Sequence, residues 1–143
     1  MRRHLRVHRS ARGSVTVFVL GLTVAAVGFG GLAVDAWRLL AVRRGLSAVA
    51  DAVATAGANG LDPSSLRAGG ARLDPAIARR LALEEFAHQR AMVRDPSVSV
   101  AADTNHVGVV LRERVSLSLL GILAGRDDVT VEVHAQAAPL RVP

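Results

Sequence analysis

The chain has 143 residues, enough for one domain of ordinary size, and its 18 basic residues outnumber its 12 acidic ones. It has no cysteine, which excludes disulfides and thiolate metal sites. Five arginines precede position 14, so residues 14–143 hold 13 Arg against 12 acidic residues. Because the body of the chain is nearly neutral and has no basic face, we expect no nucleic-acid partner.

An uncharged segment covers residues 14–34. As an α-helix that rises about 1.5 Å per residue, it would cover the roughly 30 Å hydrocarbon core of a bilayer. A secretory signal has a shorter apolar core and a nearby cleavage site, whereas the first small-residue site, at 48–50, lies beyond four charged residues. The sequence therefore predicts a basic leader at 1–13 and a transmembrane span at 14–34, with the lipid bilayer as a partner.

The arginines on the two sides of the span predict its direction. Five lie before it, and three (Arg38, Arg43 and Arg44) follow within about 15 residues, so the positive-inside rule favours a cytoplasmic N-terminus. The predicted location is the cell membrane, crossed once, with an extracytoplasmic C-terminal domain. Asp35 is the first charge after the span, and we interpret it as a marker of the outer interface, where a charge costs less than at mid-bilayer.

Small residues recur at three- and four-residue spacing within the span, at Gly21, Ala25, Gly28 and Gly31. We call these positions the small-residue ridge. Such a ridge lets another membrane helix approach closely, although glycine is common in membrane helices in any case.

Helical periodicity continues beyond the span. Apolar residues follow one another at alternating spacings of three and four, and no turn signal occurs before Gly57. The sequence predicts one uninterrupted helix over about 14–58, in which residues 35–58 extend outward from the membrane. Its outer part carries a helix-packing seam, which we call the seam: Leu39, Val42, Leu46, Val49 and Val53.

The remaining chain is predicted to form a turn-rich linker at 59–73, in which Asp62-Pro63 acts as a breaker, and a small α+β domain at 74–143. Asp74-Pro75 is typical of a helix start and Asp95-Pro96 of its end. Alternating apolar residues indicate strands at 98–100, 107–111 and 129–133, while 115–123 is compatible with a strand or a short helix. The predicted fold class is a membrane-anchored α+β protein. An antiparallel sheet of about three strands carries the second helix and the outer half of the long helix on one face.

The sequence gives no positive case for an enzyme. Glu84 and His88 stand four apart on the second helix, but two ligands are too few to fix a metal ion. Ser116, Ser118 and His134 lack the strand-turn-helix surroundings of a catalytic nucleophile. We therefore predict no catalytic residue, no cofactor, no metal and no small-molecule substrate.

Residues 12–60 carry a recognisable order of motifs: an Arg-Gly pair before the span, Gly-Leu-Ala-Val-Asp at its outer end, arginines one to two turns later, and an alanine-rich stretch at 50–58. In this order the segment resembles the N-terminal part of the TadE/TadG-like proteins of bacterial tight-adherence (Flp) pilus systems. The resemblance covers about a third of the chain.

The resemblance implies a pilin-like, single-pass membrane protein that helps build or anchor a pilus or an allied secretion machine, acting by helix packing and not by catalysis. Its implied partners are other pilin-like or pilus-assembly membrane proteins. It also implies a candidate processing site at Gly13-Ser14. Members cleaved by prepilin peptidase have Glu as the fifth residue after the glycine, where this chain has Phe18. The alternative is a membrane-anchored extracytoplasmic accessory or sensor domain unrelated to pili.

Overall fold

The computed structural model describes residues 12–140, without the side chains of residues 12, 13, 123 and 124. The basic leader predicted at 1–13 therefore lies outside the described residues except for its last two. The first element is helix α1, Arg12–Ala58, whose 47 residues make it about 70 Å long. Gly45 costs a helix interior about 1 kcal/mol relative to alanine, but it does not interrupt α1. The prediction of one continuous helix is confirmed.

Two helices follow, and each begins with the same Asp-Pro pair. In α2 (Pro63–Arg67) the Asp62 carboxylate accepts a hydrogen bond from the backbone N–H of Ser64, and in α3 (Pro75–Gln89) Asp74 caps the first turn in the same way. The predicted N-cap at Asp74 is confirmed. The Asp62-Pro63 pair, interpreted from the sequence as a breaker, instead starts a short helix, because aspartate followed by proline favours a helix N-terminus wherever it occurs.

Helix α3 ends earlier than the sequence predicted. It stops at Gln89 and continues only as a 3-10 turn, Arg90–Met92. Val93 then adopts an extended backbone, and its partly buried side chain packs against the hydrophobic core. The helix therefore ends before the Asp95-Pro96 pair that we took as its boundary.

Three antiparallel strands form one sheet in the order β1 (Ser97–Ala102), β2 (Val107–Ser116), β3 (Asp128–Ala137). The register pairs Val100 with Val109 and Leu111 with Val133. In the β1–β2 turn, the Asp103 carboxylate accepts hydrogen bonds from the backbone N–H groups of the second and third residues after it. The predicted three-stranded sheet is confirmed.

The segment at 115–123, which the sequence left between strand and helix, contains both. Strand β2 continues to Ser116, and a short helix α4 (Leu119–Ala124) follows after two residues. Gly125 ends α4 in the left-handed conformation, with φ of 62°, which glycine adopts without a Cβ penalty. Helix α4 therefore forms the connection between β2 and β3.

One face of the sheet packs against the outer half of α1, with α3 beside it, and the other face is polar. This α+β arrangement, with a long N-terminal helix before a three-stranded antiparallel sheet, is the predicted fold class. The buried core is assembled from the part of α1 that faces the sheet, from Leu73 before α3, from α3 and from the inner strand positions: Leu46, Val49, Ala50, Val53, Ala54, Leu73, Ala78, Ala82, Phe86, Val107, Val109, Leu111, Val133 and Ala135.

Candidate functional site

The outer part of the seam is buried within the chain itself. Leu46 and Val53 are 0% exposed and Val49 is 2% exposed. Val42 is partly buried against the same core, and Leu39 is half-buried. The residues of the seam thus lie along the line where α1 contacts the inner face of the sheet.

Glycines allow the end of α1 and the start of α3 to approach at backbone distance. A Cβ added at Gly60 would lie 2.5 Å from both the Cα and the backbone nitrogen of Ala78. A Cβ at Gly57 would lie 3.2 Å from the Ala78 carbonyl oxygen and 3.0 Å from a methyl group of Val107. Because backbone atoms cannot move aside as a side-chain end can, this contact requires glycine at position 60.

Strand β2 runs back along α1 toward the apolar span. Val107, at the start of β2, contacts Gly57, whereas Leu119, twelve residues later, contacts Gly31. From Gly57 to Gly31 the helix covers about 39 Å. Strand β2 covers about 30 Å of that length between Val107 and Ser116, and the two residues before α4 complete the connection. Helix α4 therefore lies beside the end of the uncharged segment that is nearest the sheet.

Asp35 joins α1 to α4. Its carboxylate Oδ2 accepts hydrogen bonds from the backbone N–H groups of Ser118 (3.1 Å) and Leu120 (2.9 Å). Ser118 is the N-cap residue of α4 but makes no side-chain cap of its own. Asp35 is only 3% exposed, and its negative charge lies at the end of α4 where helix N–H groups lack partners. A carboxylate more than 80 residues away in sequence therefore supplies the cap.

Gly31, one turn before Asp35, is the residue of α1 against which Leu119 of α4 packs. A Cβ added at Gly31 would lie 1.8 Å from Leu119 Cδ1. The Leu119 side chain therefore occupies the space that any larger residue at position 31 would need. We call Gly31, Asp35, Ser118, Leu119 and Leu120 the junction site.

The sequence indicated only that Asp35 marks a membrane interface and did not predict its contact with α4. One signal was available, because Asp35 lies four residues before Leu39 and so continues the seam by one helical step. That spacing places Asp35 on the packed face of α1. It does not reveal which segment the carboxylate meets.

Ion pairs cover the outer face of the sheet. Arg112 Nε lies 2.6 Å from Glu132 Oε2, and His134 Nε2 lies 3.0 Å from Glu132 Oε1. The hydrogen bond from Arg112 is the main reason that the pKa of Glu132 lies below its ordinary value. These side chains are substantially exposed, so they form a solvated surface.

The candidate metal ligands and the candidate nucleophiles named from the sequence do not come together at one site. Glu84 lies 4.0 Å from Arg80, one turn away on α3. Within residues 12–140 no group of three His, Cys, Asp or Glu residues is placed to hold a metal ion. In the sheet, Ser116 pairs with Asp128, whereas His134 pairs with Val110, six positions before Ser116 on β2. Ser116 and His134 are therefore about 20 Å apart along the strands.

Two other predicted features lie in the first half of α1. The Gly13-Ser14 bond is in the first turn of the helix, and Ser14 is exposed. Over 14–34, all residues are exposed except Gly28, Gly31 and Leu32, which are half-buried. By length and composition α1 is the one helix in the described part of the chain that could cross a membrane, and none of its most apolar window is buried by the protein.

Residues 13–60 match the family model described as "Putative Flp pilus-assembly TadE/G-like". No curated protein and no solved structure matches the chain significantly. The family match covers about a third of the chain, nearly all of α1 and the turn after it, and it includes the whole seam together with Gly31 and Asp35. Over residues 13–60, the resemblance to TadE/TadG-like proteins inferred from the sequence is confirmed.

Proposed function

We propose that the protein is a single-pass membrane component of Flp pilus assembly or of an allied secretion system, and that it acts by helix packing and not by catalysis. The proposal depends chiefly on the uncovered first half of α1. Residues 14–34 form an apolar helix that the other described residues leave exposed except at Gly28, Gly31 and Leu32. Such a surface requires lipid or other apolar helices around it. The family match supports pilus assembly as the setting.

In the proposed arrangement residues 14–34 cross the membrane once, the N-terminus is cytoplasmic, and the domain formed by 74–143 is extracytoplasmic. The arginine distribution supports this orientation. Asp35 then lies just beyond the hydrocarbon core, with its charge stabilised by the N–H groups of α4. A reporter enzyme that is active only outside the cytoplasm, fused after residue 143, should be active.

Partners are proposed to bind the span and not the seam. Because Leu46, Val49 and Val53 already pack against the chain's own sheet, they offer no surface to a second protein. The small-residue ridge is different, since a Cβ at Gly21 or Gly28 would meet nothing within 4 Å. A membrane helix of another pilin-like protein would find close backbone access there.

The test is a gene deletion in the native host, complemented with variants, followed by counting of Flp pili by electron microscopy. The deletion should remove the pili and the wild-type gene should restore them. The double variant Gly21→Leu, Gly28→Leu should fail to restore them while reaching the membrane at normal abundance. Gly30→Leu is the matched control, because Gly30 is also open but lies about 200° around the helix from Gly28.

Normal piliation in the deletion strain would contradict the pilus proposal. Full rescue by the double variant would contradict only the proposed role of the small-residue ridge, and the pilus proposal would stand. Activity of a cytoplasmic reporter at residue 143 would reverse the orientation, and with it the proposed exposure of the domain to other pilus proteins.

A second candidate is an anchored accessory or sensor domain, and one groove favours it. The groove has a volume of about 540 Å³ and is lined by residues of the sheet and of the segment before β1. Three arginines (Arg94, Arg112 and Arg114) and two acidic residues (Asp95 and Glu113) line it. The arginines outnumber the carboxylates by one, which favours an anionic ligand over a cationic one. Under this alternative the deletion strain keeps its pili, and an anion that protects the purified protein against thermal unfolding should lose its effect when Arg94 and Arg114 are replaced by glutamine.

A further inference from the structure

Helix α4 carries apolar surface that the other described residues leave exposed. Residues 117–125 carry no charge. Leu119 is half-buried on Gly31 of α1, and Leu120 is also half-buried, but Ile122 is 77% exposed. Exposure of Ile122 to water adds nothing to the stability of the protein, because a large apolar side chain is stabilising only when it is removed from the solvent.

The position of α4 along α1 fixes its depth relative to the membrane, given the span in the proposed function. Leu119 packs on Gly31, which lies three residues before the end of the uncharged segment. Gly31 is therefore about 5 Å inside the hydrocarbon boundary on the domain side. The Asp35 carboxylate, bonded to the first turn of α4, lies just outside that boundary.

We propose that α4 is a second membrane contact, inserted into the interface of the leaflet on the domain side, with Ile122 among the lipid acyl chains. Apolar helices that lie in an interface bury their faces to about 5–10 Å. The depth set by Gly31 and Asp35 agrees with that range. The surroundings of Ile122 are lipid, because a segment that packs on Gly31 lies at the depth of the bilayer when α1 spans the membrane.

The flanking residues fit the same placement. Arg126, Asp127 and Asp128 directly follow Gly125 and are all exposed, so the chain leaves the interface into the polar headgroup region. Trp37, which is 69% exposed, lies two residues after Asp35 and about 200° around α1 from it. Tryptophan is enriched at membrane interfaces, and here it would contact the same leaflet on the other side of α1.

The absence of cysteine makes a direct test simple. Single-cysteine variants of the full chain, each carrying a small environment-sensitive fluorophore, are reconstituted into vesicles of phosphatidylcholine and phosphatidylglycerol. Spin-labelled lipids quench the fluorophore either near the headgroup or near the bilayer centre. The variants are Ile122→Cys on α4, Val24→Cys in mid-span, and Asn105→Cys in the exposed β1–β2 turn.

We expect the shallow spin label to quench the fluorophore at position 122 several-fold more strongly than at position 105, and more strongly than the deep label does. The fluorophore at position 24 should respond most to the deep label. Ile122 is exposed, so its replacement leaves the core intact, and unchanged protease resistance of each variant verifies the fold.

Each contrary outcome has a distinct meaning. If position 24 is quenched but position 122 behaves as position 105 does, the α4 contact is wrong while the proposed span stands. If position 24 is not quenched, the span fails and the proposed function fails with it. If position 122 is unquenched in vesicles but shielded from a soluble quencher in native membranes, a protein covers α4 and the lipid contact is overturned.

Discussion

The two halves of α1 are built from similar residues, yet they meet different surroundings. In residues 46–58 every third or fourth side chain is buried against the sheet, and exposed residues such as Ala48 and Asp51 lie between them. In residues 14–34 the apolar side chains point in all directions and the protein covers almost none of them. The contrast shows that the periodicity of apolar residues, more than their number, distinguishes a helix packed on protein from one suited to lipid.

The largest expected effect comes from a charge in the seam. Leu46→Asp would bury an unpaired carboxylate among the core side chains, where no hydrogen-bond donor replaces water, so the domain should lose more than about 4 kcal/mol of stability. Thermal unfolding followed by circular dichroism, together with limited proteolysis, measures the loss.

Ala48→Asp is the matched control, because it places the same charge two residues later at an exposed position of the same helix. Its unfolding temperature should stay close to that of the wild type. Equal destabilisation by the two variants would show that the seam does not carry the packing of α1 against the sheet.

A pair of glycine substitutions separates helix propensity from packing. Gly60→Ala forces a methyl group to within 2.5 Å of the Ala78 backbone, and overpacking of this kind costs about 1–3 kcal/mol. Gly45→Ala places its methyl group in open space inside α1 and should stabilise the helix by about 1 kcal/mol. Denaturant unfolding of the two variants should give shifts of opposite sign, and shifts of the same sign would contradict the close approach of α1 and α3.

A smaller effect is expected where the two halves of α1 meet. Asp35→Ala removes the cap of α4, and loss of an N-cap costs about 1 kcal/mol, within a range of about 0.5–2. The loss should be local, so hydrogen exchange should accelerate at the Ser118 and Leu120 amides while the core strands keep their protection. Asp51→Asn, on the exposed face of α1, should leave both regions unchanged. Unaltered exchange at Ser118 and Leu120 in Asp35→Ala would rule out the cap.

The smallest change in stability is expected on the outer face of the sheet, where Arg112 and Glu132 form an exposed pair. The hydrogen bond from Arg112 lowers the pKa of Glu132, so the ionised form of Glu132 is favoured in the folded state. Its contribution is present above the unfolded pKa of Glu132 and is lost as the pH falls through the lower, folded value. Arg112→Gln should return the pKa of Glu132 toward its ordinary value in an NMR titration, with little change in the unfolding temperature at neutral pH. An unchanged pKa would show that the pair does not persist in solution.

The sequence predicted the parts of the fold that depend on local pattern. Continuous helical periodicity predicted α1, and the alternation at 129–133 predicted the central part of β3, because both patterns record which side of an element meets the core. The Asp74 cap was likewise readable from two adjacent residues. The Asp62-Pro63 pair was interpreted as a break because the same local signal is compatible with a break and with a new helix.

The junction site could not be predicted in the same way. Asp35 and Leu120 are 85 positions apart, and nothing in either local pattern names the other. The contact arises because β2 continues to Ser116, which brings Leu119 of α4 to Gly31, whereas the sequence predicted the strand only as far as residue 111. Once β2 is extended to Ser116, the position of α4 follows from geometry.

The continuity of α1 has a mechanical consequence. Residues 12–58 contain no proline and α1 has no break, so its two halves form one continuous helix. In the proposed arrangement, a rotation or tilt imposed on residues 14–34 by a neighbouring helix would be transmitted to the sheet, because no proline hinge lies between them. The hydrogen bonds between Asp35 and α4 add a second connection between α1 and the rest of the chain, near the proposed membrane boundary. The proposed span would therefore couple a movement within the bilayer to a reorientation of the domain.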